Sequence, residues 1–204
     1  MSKNLVWIDL ETTGLKPKHH GIIEIAILFE KEGEIVEEWV SKVNCGEYDR
    51  DVAVDPEALR INGNKLEDIA TFPLPIAVHN EIRAKLAKHY GSEKVSIAGY
   101  NVSVFDKPML EDFYASNNEE YWYYFNHKPI DIFEMVKGLQ YMGIMEHTWN
   151  QKLITIVEEF GFATKDEIEE KAHNALWDIQ MTRKIYLMIK EAMDDAFGDT
   201  RITR

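Results

Sequence analysis

A mixed α/β sheet with helices on both faces is the fold this sequence predicts, on three observations. The run Leu5-Val6-Trp7-Ile8-Asp9-Leu10-Glu11 is too apolar for a strand wet on one side and reads as a central, doubly covered one. Two further apolar segments, 22–29 and 34–43, are joined at a turn containing Gly33 and read as a hairpin. Beyond them strands alternate with amphipathic helices, the pattern of a sheet with helices packed against it.

The remaining elements follow in order. Asp55-Pro56-Glu57-Ala58-Leu59 offers a cap, a first-turn proline and helix formers, so a short helix starts there. The spacing predicts a longer amphipathic helix over 75–90 and a strand from Lys94 to Gly99. A helix follows near Phe105, with Pro108 in its opening turn and Met109, Leu110, Phe113 and Tyr114 on its buried side. Residues 129–131 read as a short edge strand leading into helices over 131–142, 150–161 and about 172–194. In the last helix Leu176, Ile179, Tyr186, Ile189 and Met193 recur at helical spacing. The expected organisation is one domain over 1–196 and a polar tail over 197–204, with no internal repeat or low-complexity tract.

A chain of 204 residues with 45% hydrophobic content can bury a full core. Its charge is strongly acidic, 36 acidic against 23 basic residues and a net charge of −13, which argues against a large phosphate-tracking surface. An enzyme that holds a nucleic-acid end through metal ions is compatible with that balance, because a bound divalent cation inverts the local field. The single cysteine, Cys45, cannot form an internal disulfide, which fits a reducing, cytoplasmic setting. No apolar stretch approaches membrane-spanning length, and the amino terminus lacks a signal layout, so no membrane association is expected.

Three acidic clusters carry the chemistry. Asp9 and Glu11 stand at i and i+2 of the central strand and therefore project from the same face. Two neighbouring buried acids repel each other and lose hydration, so either their pKa values rise or a cation binds between them. Thr12-Thr13-Gly14-Leu15 follows at once, a turn that brings backbone amides and hydroxyls to the same end of the strand. Asp106 lies just past a strand, at the start of a helix, where alone it would simply complement the helix amino terminus. His173 and Asp178 lie five residues apart, a separation that points them to different sides of a continuous helix. With His173 in the loop before the helix and Asp178 in its second turn, both can face the sheet. Taken singly, they read as a surface histidine beside the charged run Lys165 to Lys171 and an exposed helix acid. Together the three clusters match two-metal phosphodiester cleavage: ions about 4 Å apart, oxygen ligands from several elements and one base for water. A neutral imidazole suits that base.

The segments Ile8 to Leu15, Asn101 to Asp106 and His173 to Asp178 resemble the three exonuclease motifs of the DEDDh family. The pattern is most similar to proofreading, epsilon-subunit-like 3′–5′ exonucleases, and the resemblance spans about residues 4–190. It implies a ribonuclease-H-like domain with a mixed five-stranded sheet. It implies two Mg²⁺ or Mn²⁺ ions held by Asp9, Glu11, Asp106 and Asp178, with Asp9 bridging both and His173 taking the proton from the attacking water. Thr12, Thr13, Gly14 and Leu15 would contact the terminal nucleotide, with Asn101 and Phe105 as further candidates for lining its pocket. One departure stands out: relatives often carry a histidine before a glycine after the short helix, whereas this chain has Asn62-Gly63.

Other features have plainer accounts. Tyr121-Trp122-Tyr123-Tyr124-Phe125 could stack single-stranded bases, but an aromatic run between a helix and a short strand more often packs inward. Glu24 in Ile22-Ile23-Glu24-Ile25 is either a partner of the acid cluster or a strand-edge acid. Lys16, Lys18, His19 and His20 read as a solvated loop, with phosphate contact as the alternative. His127 and His147 are assigned nothing. The expected activity is release of nucleoside 5′-monophosphates from the 3′ end of single-stranded nucleic acid, DNA favoured over RNA. A DNA polymerase is the candidate partner that the resemblance suggests, against a stand-alone enzyme. Leu5 to Glu11 also resembles the start of oligoribonucleases, which makes an exoribonuclease the nearest rival. A non-catalytic end-binding or polymerase-docking module is the rival from another class; it would be expected to lose at least one of Asp9, Glu11, Asp106, His173 and Asp178, and all five are present.

Overall fold

The structure is a computed structural model, and it describes residues 4–48, 51–145 and 151–197. Its centre is a five-stranded sheet in the order β3-β2-β1-β4-β5. These strands are β1 (Leu5–Thr12), β2 (Ile22–Lys31), β3 (Glu34–Lys42), β4 (Ser96–Gly99) and β5 (Ile130–Asp131). β2 pairs antiparallel with both β1 and β3, whereas β4 pairs in parallel with β1 and β5 in parallel with β4. The central, doubly covered position expected for the first strand is therefore the one observed.

Eight α-helices flank the sheet among the described residues: α1 (Pro56–Asn62), α2 (Leu66–Ile69), α3 (Pro75–Tyr90), α4 (Asp106–Ser116), α5 (Ile132–Tyr141), α6 (Leu153–Glu159), α7 (Lys165–Lys171) and α8 (Ala175–Phe197). Alternation along β1 builds the two cores. Val6, Ile8 and Leu10 join Val78, Ile82 and Leu86 of α3 and Met109, Leu110 and Phe113 of α4. Leu5 and Trp7 face the other way, onto Ile132 and Val136 of α5, Ile156 of α6 and Ile179 and Ile185 of α8. Each fully buried side chain of this size contributes about 1.5–3 kcal/mol. Asp9 and Glu11 continue the second row, so the period-2 rule places them on the α8 face.

A polar clamp sets where α8 lies. The Trp7 indole donates to Glu30 at 3.0 Å, Arg183 donates to the same Glu30 oxygen at 2.7 Å, and Tyr186 tilts against Trp7 at 5.1 Å. Glu30 is buried, so its charge is tolerated only because both donors reach it.

Several expectations change. The run Lys165 to Lys171 is helix α7, closed by a capping box between Thr164 and Glu167. The last helix begins at Ala175, later than residue 172, and runs through Phe197. Met193 is exposed, with Met181 and Ile185 buried on the inward face instead. The helix expected over 150–161 is the shorter α6, and α2 was not foreseen. In the aromatic run packing prevails: Tyr121 and Phe125 are stacked and buried, and only Tyr123 is well exposed. His147 and residues 198–204 of the tail lie outside the described residues. No helix among the described residues is long and apolar enough to cross a membrane.

Candidate active site

The site forms where β1 ends. Asp9 faces Ala26 across the β1–β2 ladder, and Glu11 faces Glu24. A methyl group opposite Asp9 leaves room above the sheet. The first turn of α8 fills the far side with Asp178, one turn earlier than expected. Asn174 caps that helix by accepting from Trp177 at 3.1 Å through its side chain and from Asp178 at 2.9 Å through its carbonyl. His173 sits in the loop before α8 in a left-handed conformation, φ 65°, which frees it from the helical spacing to Asp178.

One oxygen each from Asp9, Glu11 and Asp178 lies within 4.8 Å of the others, close enough to hold a metal ion. Asp106, buried at the start of α4, is near enough for its charge to act on Asp9. The electrostatic consequence is severe. Burial drives the Asp9 carboxyl well above its usual range, and Asp106, Asp178, Glu11 and Glu24 push it further the same way. Glu11 is raised to about 8, mainly by burial and then by Asp178 and Glu24, with Lys42 pulling it back. Asp106 is raised to about 8 by burial, against backbone amides that include that of Leu10. Asp178 is raised to about 7, again by burial. These acids cannot all ionise near neutrality without a cation. Asp178 Oδ1 is also buried without a hydrogen-bond partner, an orphaned acceptor aimed at the cluster. An all-oxygen donor set of this kind fits a hard divalent cation.

His173 joins Asp9 and Asp178 in a cleft of about 420 Å³ lined also by Tyr100, Asn101, Phe133 and the segment Gln151–Ile154. Desolvation against this wall, and then the Lys152 charge, lower the imidazole below its ordinary value. It is therefore neutral near pH 7 and can accept a proton.

The turn after β1 is held by long-range contacts. Thr13 donates its hydroxyl to Ala53 at 2.7 Å and receives the Gly21 amide at 3.0 Å, while the Asp55 amide donates to the Thr13 carbonyl at 2.7 Å. The Thr12 hydroxyl donates to the Gly14 carbonyl. A Cβ on Gly14 would stand 2.4 Å from the His20 ring, so only glycine fits beneath it. Leu15 is 76% exposed at the tip. Asn62, at the position of departure, donates to the Thr12 carbonyl at 3.1 Å and so serves the turn from outside. Asn101 lines the cleft, whereas Phe105 packs against the larger core and lies off the cleft wall.

One support escaped the sequence reading, and one stood between two alternatives. Asp131 accepts the Asn101 amide at 3.0 Å and the Phe133 amide at 3.1 Å through one oxygen, and the Ser103 amide at 2.9 Å through the other. It caps α5 and ties down the turn that delivers Asp106. The acid three residues on, Glu134, was a visible helix-start signal, but the partner turn 30 residues away was not. Of the two accounts open for Glu24, that of a partner of the cluster prevails: it is buried, beside Glu11, and paired with Lys42, whose ammonium also donates to Asn64 at 3.1 Å. The loop with Lys16, Lys18, His19 and His20 is largely exposed, its His20 ring held beneath Gly14.

Residues 6–186 match the RNase_T family, described as exonuclease. Among solved structures, Escherichia coli exonuclease I in complex with a dT13 oligonucleotide superposes with TM-score 0.77 at 17% identity, over 95% of this chain and 42% of that one. The zinc-bound form of the same E. coli enzyme with single-stranded DNA gives TM-score 0.78 at 17% identity, over 97% and 42%. The chain thus spans less than half the length of these structural relatives, and at this identity the likeness establishes the fold. Oligoribonuclease from Buchnera aphidicola subsp. Acyrthosiphon pisum is 77% identical over 26 residues, which is 13% of this chain and 14% of that protein.

Proposed function

The chain belongs to the RNase_T exonuclease family, and from that premise we propose that it releases nucleoside 5′-monophosphates from the 3′ end of single-stranded nucleic acid, DNA in preference to RNA. The observation that carries this reading is the convergence of Asp9, Glu11 and Asp178 oxygens within 4.8 Å, beside buried Asp106. Asp9, Glu11, Asp106 and Asp178 would hold two divalent ions, Mg²⁺ or Mn²⁺. When bound, such ions lower the pKa of water and offset charge on the phosphate.

The chain's own groups do the rest. His173, neutral and in the cleft with Asp9, accepts the proton of the attacking water. The backbone of Thr12 to Leu15, rigid through Thr13, Ala53 and Asn62, receives the terminal nucleotide, with exposed Leu15 against its base. The single-stranded DNA in the exonuclease I structures supports DNA as the substrate, and the short oligoribonuclease match keeps RNA as the alternative. A cytoplasmic enzyme, alone or docked on a DNA polymerase, accords with a single cysteine, the buried Cys45.

The test is a 5′-labelled single-stranded DNA oligomer incubated with Mn²⁺ and then with EDTA. A ladder shortening from the 3′ end only with metal is the expected result. Faster shortening of the matching ribo-oligomer would transfer the assignment to RNA. No cleavage of either substrate would leave the non-catalytic end-binding module.

A further inference from the structure

The cleft has one side that the four acids and His173 leave without a role. Its wall is Gln151–Ile154, at the start of α6, facing Tyr100, Asn101 and Phe133. Among the described residues that line the cleft, Lys152 is the only lysine or arginine, in a chain of net charge −13. Its side chain is exposed, and its charge reaches His173.

The backbone that carries Lys152 is fixed from two directions. The Tyr100 hydroxyl donates to the Gln151 carbonyl at 2.7 Å. The Gln151 amide group donates to Gln140 at 2.8 Å, and Gln140 is buried in α5. Tyr100 is itself oriented edge-to-face on Phe133 at 5.8 Å, and it immediately precedes Asn101 in the turn that leads to Asp106. One polar chain therefore ties the lysine's backbone to the turn carrying an acid of the cluster.

The acids, with any cations they hold, would neutralise a phosphate in this cleft from β1, α4 and α8, and the α6 wall faces it with Lys152. Non-bridging oxygens on that side gain charge as the diester is attacked, and a cation at the rim of a partly desolvated cleft stabilises them more than it would in bulk water. We propose that Lys152 contacts the phosphate undergoing cleavage, and the released 5′-monophosphate, from the α6 wall of the cleft. This rests on the exonuclease reading, and it adds a phosphate-binding residue that the three motifs do not contain.

The experiment compares the wild type with Lys152→Ala and Lys152→Arg on two readouts. The first is metal-dependent hydrolysis of the p-nitrophenyl ester of thymidine 5′-monophosphate, a substrate with no upstream strand. The second is calorimetric binding of thymidine 5′-monophosphate and of thymidine in Mn²⁺, which involves no turnover. Lys152→Ala is expected to lose roughly ten- to a hundredfold in kcat/KM and a similar factor in monophosphate affinity, with thymidine affinity unchanged and Lys152→Arg restoring most of both. An unfolded Lys152→Ala would show as lost thymidine binding, and Lys152→Arg then carries the comparison with a neutral Lys152→Gln. Equal monophosphate affinity in folded Lys152→Ala and wild type overturns the proposal while the exonuclease reading stands. A wild type that hydrolyses neither this ester nor an oligomer overturns both.

Discussion

Glu11 and Glu24 face one another across the β1–β2 ladder, one in the acid cluster and the other buried against Lys42. Lys42 thereby tempers the cluster from its edge, lowering Glu11 while Glu24 raises it. A site with this much confined negative charge has measurable consequences.

Asp9→Ala should abolish hydrolysis, losing more than the roughly 10–100-fold typical of an outer partner of a metal site. In metal-free protein at neutral pH the same variant should be more stable than wild type, because a crowded buried acid is removed. Steady-state kinetics and thermal melts in EDTA check the two halves. Full activity in Asp9→Ala would refute the site assignment.

Stability of the metal-free protein should fall as pH rises from about 5 to about 8. Glu11 and Asp106, raised to about 8, and Asp178, raised to about 7, hold protons in the fold that the unfolded chain has released. Their stabilising contribution is complete below the unfolded carboxylate range and is lost as pH passes the raised folded values. Mn²⁺ should reverse the trend, raising the melting temperature more at about pH 8 than at about pH 5, since it binds the ionised forms. Melts with and without metal across this range decide; a metal-independent profile counts against a cation site.

His79 acts with the opposite sign. It is fully buried against Tyr114, neither ring nitrogen has a hydrogen-bond partner, and burial lowers its pKa. Its contribution is present above the unfolded histidine range and is lost as pH falls through it. His79→Phe should therefore resist acid better than wild type between about pH 7 and about pH 5. Parallel melting curves for the two proteins would rule this out.

Asp131→Ala should lower both stability and turnover. A lost helix cap costs about 0.5–2 kcal/mol, and three amides lose their acceptor at once. Because the freed turn carries Asp106, kcat should fall in Asp131→Ala while binding of thymidine changes little. Asp131→Asn, which keeps acceptor capacity on one oxygen, should recover part of both.

Gly99→Ala tests how closely the parallel strands approach. The added Cβ would lie 2.7 Å from the Ile8 carbonyl, next to Asp9, so β4 and β1 must separate there. Overpacking of this kind costs about 1–3 kcal/mol, and activity should fall further than stability accounts for. A chemical-denaturation midpoint equal to wild type would show that the strands give way freely.

The sequence by itself determined the central strand, the hairpin, the strand that returns near Gly99 and the common face of Asp9 and Glu11. All of these depend on side-chain alternation or helical spacing within a dozen residues, and such periodicity is written locally. Helical geometry showed that His173 and Asp178 could both turn inward with His173 in a loop, and the start of α8 at Ala175 decided that it is there. Tertiary structure alone decided what meets across the chain. The charged run Lys165 to Lys171 is assigned no element by the sequence alone, since its helix has no buried residue and hangs on the Thr164–Glu167 cap. Glu24 could face water or the cluster until the β1–β2 register set it beside Glu11. Asp131 binds amides 28 and 30 residues away, and Lys152 enters the cleft through the tether from Tyr100 and Gln140. Such contacts follow from how helices dock on the sheet, here fixed by Trp7, Glu30 and Arg183, and no local pattern in the sequence encodes them.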